Sequence, residues 1–233
     1  MTNGSEQTIW QAPDLNETYL TPADGNLIDT MSSSSASDTG EEVSYEGHYW
    51  DADNNLVFAT GTSIINGQNK VTLNRAYCRI NRAFDNNTVP FVGDINFYED
   101  TALTNGVPTD TSKIHLTVKG TLGESQSFKA ASSISGKDAY IVTALSVGAL
   151  RNGAGALDFS LEARNAKLDS VFRPVFGRMA ANTGGTSSSP FELAPPVLIG
   201  PNSDFRMVAT PGANGMAGTA TISGYLAIRP DPL

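Results

Sequence analysis

Two histidines, one cysteine and one aspartate-rich turn are the side chains with the clearest capacity for chemistry in this chain of 233 residues. A nucleophilic site needs a Cys or Ser beside a base, with a third group to orient the base. Cys78 could begin such a set, while His48, in Gly47-His48-Tyr49-Trp50, has no acid–base partner implied by spacing and reads as structural. No acid at a matching spacing completes it, and a cysteine inside a strand pattern reads as a small core residue. His115 falls on the Lys113/Thr117/Lys119 side of an alternating stretch, where a solvated imidazole is expected. A zinc site draws several Cys or His from short spacings, which one Cys and two His do not supply.

Asp51-Ala52-Asp53-Asn54-Asn55 begins like a calcium loop, but the EF-hand pattern also requires Gly and then Glu further along. Leu56 and Thr62 occupy those places, so a surface turn is expected. Gly153-Ala154-Gly155-Ala156-Leu157-Asp158 lacks the third glycine and the following helix of a dinucleotide fingerprint. The Gly-x-Ser-x-Gly and phosphate-loop patterns are missing as well. The expectation is a protein that is not an enzyme, with no catalytic residue, no cofactor and no metal.

The elements around these residues read as strands. Ile114, Leu116 and Val118 alternate with Lys113, His115, Thr117 and Lys119, the period of a half-buried strand. Leu157, Phe159, Leu161 and Ala163 repeat the pattern, as do Ala220, Ile222, Gly224, Leu226 and Ile228. Over 70–84 the apolar set moves from Val71 and Leu73 to Ala76, Cys78 and Ile80, a change of phase that a β-bulge would produce. Further strands are expected over 56–65, 91–98, 126–134, 139–149, 171–177 and 204–210. Asn-Gly pairs at 66–67, 105–106, 152–153 and 214–215 suit tight hairpin turns, because both residues tolerate positive φ. The expected fold is all-β and antiparallel, about nine or ten strands in a two-sheet sandwich of the jelly-roll type.

Charge divides the chain unevenly. Residues 1–69 hold 11 acids and no base, whereas 70–233 hold 13 acids and 15 bases, within a total of −9. An acidic chain displaces no counterions from nucleic acid, so neither nucleic acid nor an anionic membrane is an expected partner. The opening residues lack the basic and apolar regions of a signal peptide, and no apolar run reaches the ~18 residues of a membrane span. Residues 1–44 carry Pro13, Pro22, a serine run and scattered hydrophobes without periodicity. They read as an extended acidic N-terminal arm, with 45–233 as the sandwich domain. Trp10, Leu15, Tyr19, Leu27 and Ile28 are its candidate partner-binding anchors. Removal of 1–44 is expected to leave the remainder folded.

The last third has its own texture. Val171-Phe172-Arg173-Pro174-Val175-Phe176 leads to Pro195-Pro196-Val197-Leu198-Ile199-Gly200-Pro201-Asn202-Ser203-Asp204-Phe205-Arg206, and then to Gly224-Tyr225-Leu226-Ala227. With Tyr98-Glu99-Asp100 and Lys113 to Thr117, this stretch resembles a group of tailed-bacteriophage virion structural proteins over about residues 90–229. The resemblance implies a capsid decoration or cement protein, a β-sandwich body that bridges neighbouring shell subunits. Its implied partners are the major capsid protein or other virion proteins and further copies of itself, a trimer being favoured. Its implied location is the virion, assembled in the host cytoplasm. A neck, tail or fibre component, or a host-glycan-binding β-sandwich module, are the alternatives. The resemblance brings no active-site residues, and Arg206 is expected to point away from Phe205 and Met207 as part of a fold element.

Overall fold

Strands form where the alternation was strongest, and glycine or asparagine punctuates them. The computed structural model describes residues 7–8, 25–85, 87, 89–120, 131–150, 156–167, 171–182, 189–211 and 217–228. All sheets are antiparallel, and a short 3-10 turn, Thr111–Lys113, precedes the strand that begins at Ile114. The chain divides into two compact units, and the division is not a simple cut. Thr18–Phe128 forms one unit, inserted between the two pieces of the other, Met1–Glu17 and Lys129–Leu233.

The chain opens with β1 (Gln7–Thr8), which belongs to the split unit. The inserted unit then contributes β2 (Ile28–Ser33), β3 (Thr39–Trp50), β4 (Leu56–Asn66), β5 (Val71–Tyr77) and β6 (Arg79–Asp85). It continues with β7 (Ile95–Glu99), β8 (Leu103–Thr104), β9 (Val107–Pro108) and β10 (Ile114–Val118). Two main sheets result, in the orders β10-β7-β2-β5 and β4-β3-β6. Their core is aromatic: Tyr45 meets Tyr77 edge-on at 5.8 Å and Phe97 at 5.4 Å. Asn74 Oδ1 accepts from both tyrosine hydroxyls, so the buried rings keep their polar ends satisfied. Gly61 gives the Tyr45 ring its room, since a Cβ there would lie 2.5 Å from Cε2.

The split unit is completed by β11 (Ala131–Ile134), β12 (Asp138–Leu150), β13 (Ala156–Asn165), β14 (Arg173–Asn182), β15 (Ser189–Ile199), β16 (Ser203–Pro211) and β17 (Ala217–Ile228). One sheet runs β1-β16-β13-β14 with β11 also on β16, and a second runs β15-β12-β17. Val142, Leu145, Leu157, Phe159, Leu161 and Met207 are fully buried in its core.

Two expectations change on this evidence. The boundary drawn at 44/45 falls inside β3, and the proposed arm contains β2, whose Ile28 and Met31 are wholly buried. Cutting at that point would remove core side chains, so the expected harmless truncation does not fit the structure. The sequence signal was weak there because β2 is buried along most of its length and so shows no alternation. The phase change near Cys78 is also more than a bulge. It separates β5 from β6, which lie in different sheets.

Candidate functional site

The hairpin turn between β3 and β4 holds the calcium-like sequence. Asp51 Oδ1 accepts from the backbone N–H of Asp53 at 3.0 Å and of Asn55 at 2.7 Å, while Asn54 takes φ +58°. The carboxylate closes a turn, as expected of it. No group of three metal-ligating side chains occurs among the described residues.

His48, Cys78 and Arg79 come together where β3 passes β6, all three buried. The Asn81 amide nitrogen lies 3.0 Å from His48 Nδ1 and donates to it. The His48 carbonyl accepts from the Cys78 N–H at 2.9 Å and from its thiol at 3.2 Å. Arg79 Nη1 donates to the same sulfur at 2.9 Å, and its guanidinium lies 5.6 Å over the Trp50 ring. Gly47 permits this crossing, because a Cβ there would sit 2.1 Å from the Arg79 carbonyl oxygen. The cluster ties two strands together. Its thiol has no exposed surface for a substrate to reach.

His115 departs from expectation. It is 6% exposed rather than solvated, with Nε2 2.9 Å from Glu99 Oε1. The cause is a register shift in β10 between Ile114 and Leu116, which takes His115 out of the simple alternation.

Acidic side chains cluster near the start of β3. Asp38 is fully buried, and its carboxylate accepts from the N–H of Val92 at 2.8 Å and of Gly93 at 2.9 Å, and from Ser33 Oγ. Burial, and then Asp38 and Asp85, push the Glu41 carboxyl above its ordinary range. Asp85 accepts from the Asn87 N–H at 2.7 Å, and Asn87 in turn exchanges two hydrogen bonds with the Glu42 backbone. These acids staple loops to strand ends.

In the split unit, the Asn202-Ser203-Asp204-Phe205-Arg206 motif lies across β13. Arg206 does point away from Phe205 and Met207, and it pairs with Glu162 at 2.8 Å. Arg164 pairs with Asp204 at 2.9 Å with both side chains almost wholly buried. Ser133 on β11 donates to Asp204 Oδ1 at 2.6 Å. Phe172 lies against both guanidinium groups, 5.0 Å from that of Arg164 and 4.2 Å from that of Arg206. Asn202 adopts φ +52° at the turn before β16. The motif works as a buried ionic ladder that locks three strands.

Among the described residues, several large apolar side chains on strands are exposed. Leu198, Ile141 and Tyr225 lie directly across from one another on β15, β12 and β17. Leu198 is 66% exposed and Tyr225 56%. Leu226, on the opposite face of β17, is 54% exposed. Sequence reasoning passed over this row because strict alternation made those positions look like ordinary strand residues. Of the five anchors named from sequence, Leu27 is exposed and Ile28 is buried in its own core. Trp10, Leu15 and Tyr19 lie outside the described residues. Comparison with known proteins finds no matching family model, no matching curated protein and no matching solved structure.

Proposed function

We propose that this chain is a non-enzymatic structural protein of a bacteriophage virion, a capsid decoration or cement protein that bridges neighbouring shell subunits. One observation carries the reading. The side chains with chemical capacity, His48, Cys78, Asp38, Asp51, Arg164 and Asp204, are engaged in holding strands and turns together. Exposed apolar surface, by contrast, is concentrated on long strands. Surface of that kind suits assembly, since contiguous apolar patches mark interaction sites. The resemblance of residues 90–229 to tailed-phage virion proteins supplies the particle, and the all-β architecture agrees with it.

In this reading the finer jelly-roll arrangement belongs to the sandwich body, the major capsid protein is the partner, and copies associate with one another. The segment between β1 and Gly25 acts as an acidic arm whose Trp10, Leu15 and Tyr19 seat in pockets of a neighbour, as single large residues do at interfaces. Imaging of native particles with the protein labelled tests the placement: many copies over the head are expected. A few copies at the neck, tail or fibre would move it there, and absence from particles would end the virion reading. The variant Trp10→Ala/Leu15→Ala/Tyr19→Ala, which leaves β1 in place, should bind stripped particles less well than the wild type, and equal binding would remove the arm from the reading.

A further inference from the structure

The sheet β15-β12-β17 has two outer edges, and they are built differently. On β15, Pro190, Pro195 and Pro196 offer no N–H, and Glu192 adds a charge. Prolines and charges are the devices that keep an edge from pairing with another chain. β17 reads Ala-Gly-Thr-Ala-Thr-Ile-Ser-Gly-Tyr-Leu-Ala-Ile, with no proline and no charge over 12 residues. Among the described residues it pairs only with β12. At ~3.3 Å per residue this edge, unpaired among the described residues, is roughly 40 Å long.

Other edges are better protected. β14 carries Arg173, Pro174 and Arg178, β6 carries Arg79, Arg82 and Asp85, and β10 is short and flanked by Lys113 and Lys119. β4 is long and uncharged, but β5 packs beside it and its exposed residues lie on one face only. β17 differs in that Tyr225 and Leu226 stand open on opposite faces. A strand added beside it would cover both.

We propose that β17 is the edge through which two copies of this chain join, pairing antiparallel about a two-fold axis normal to the sheet. Such an axis preserves faces, so Thr221, Ser223 and Tyr225 meet outward residues of the second copy, and Ile222, Gly224 and Leu226 meet inward ones. Near a two-fold axis each charge meets its own kind, which a charged edge resists and this uncharged edge does not. Net charge points to the same occupant. The split unit has ten acids and nine bases, a balance of −1, whereas the inserted unit has 14 acids and six bases, a balance of −8. Copies therefore approach through the split unit with little repulsion. A ring of three built by sheet extension would need β17 to meet a different edge on the next copy, and the prolines of β15 and β14 close those. The contact holds whether or not the chain belongs to a virion.

Light scattering on the purified full chain, across a wide concentration range, tests the proposal. A mass of two chains is expected, and the double variant Thr221→Lys/Ser223→Lys should halve it. Both residues are exposed and face away from the core, and Thr60→Lys on β4 should leave the two-chain mass intact. Amide exchange should also slow across 217–228 in the wild type as concentration rises, which needs no variant to fold. A one-chain or three-chain mass for the wild type would overturn the proposal. So would a folded double variant that keeps two chains, or exchange at 217–228 that ignores concentration. None of these outcomes bears on particle imaging, so the two readings fail separately.

Discussion

The two units solve the same problem, an antiparallel sheet protein without disulfides, by different means. The inserted unit places polar groups inside and satisfies many of them locally: the Tyr45 and Tyr77 hydroxyls on Asn74, the Asp38 carboxylate on two loop amides, the Cys78 thiol between a carbonyl and a guanidinium. The split unit keeps an apolar core and confines its buried charge to one ladder on the other face of β13 and β16. The difference teaches where each unit is vulnerable. Loss of a hydrogen-bonding partner leaves a single orphan in the first, whereas loss of one ladder member leaves a full charge in the second.

The largest expected effect therefore lies in the ladder. Arg164→Ala removes the guanidinium that faces the Asp204 carboxylate, which is 1% exposed, and should cost about 3–5 kcal/mol. Chemical unfolding followed by near-ultraviolet circular dichroism measures it. Replacing both partners, Arg164→Met with Asp204→Leu, should recover most of that loss, because no lone charge remains. If the double variant is as unstable as the single one, the ladder matters through shape and not charge.

Next in size is Gly61→Ala in the inserted unit. The added methyl would lie 2.5 Å from the Tyr45 ring, whose hydroxyl is fixed by Ser63 and Asn74. An overpacked core of this kind costs roughly 1–3 kcal/mol, readable as a lower melting temperature. An unchanged melting temperature would mean that the ring can move aside and that local satisfaction is loose.

How much of this was legible in the sequence follows the same division. Strands such as Leu157–Ala163 and Ile114–Val118 announced themselves because apolar residues alternate with polar ones, even though Glu162 and His115 on the polar side are buried as well. β2 did not, since burial along most of its length erases alternation, and it was read as arm. The break at Cys78 was visible as a phase change, but a change of phase cannot distinguish a bulge from a strand that leaves for another sheet. Motif chemistry was read correctly at Asp51, whose turn role is local. It was misread at His115, where a register shift set by pairing with β7 decides burial. The Arg164–Asp204 pair was invisible, because its members are 40 residues apart. Spacing reports only what neighbours in the chain can do for one another.

The smallest expected effect is a pH dependence. Glu41 has its carboxyl held above the ordinary range, chiefly by burial, and one of its oxygens is buried without a hydrogen-bond partner. The folded chain thus binds this proton more tightly than the unfolded chain does. Stability from this group is present below the unfolded value and is lost as pH rises from there through the folded value. Glu41→Gln should match the wild type in acid and exceed it slightly at neutral pH, in parallel thermal melts at several pH values. A variant less stable at neutral pH would mean that the ionised carboxylate has a favourable role.

The split of one unit around the other has a consequence for the order of events during synthesis. Thr8 pairs with Val208, and Gln7 with Ala209. These partners are separated by the whole inserted unit and most of the later strands. A growing chain exposes Gln7–Thr8 first and must complete almost everything else before their partners exist. The inserted unit needs nothing beyond Phe128 and can close while the rest is still being made, as domains do during synthesis. The split unit, rich in distant pairings, belongs with the slow-closing topologies. Until β16 is made, β13 has only β14 beside it and the ladder has only half its charges. Arg164 and Glu162 wait in solvent for Asp204 and Arg206, so the buried ion pairs form late, as the step that seals the unit.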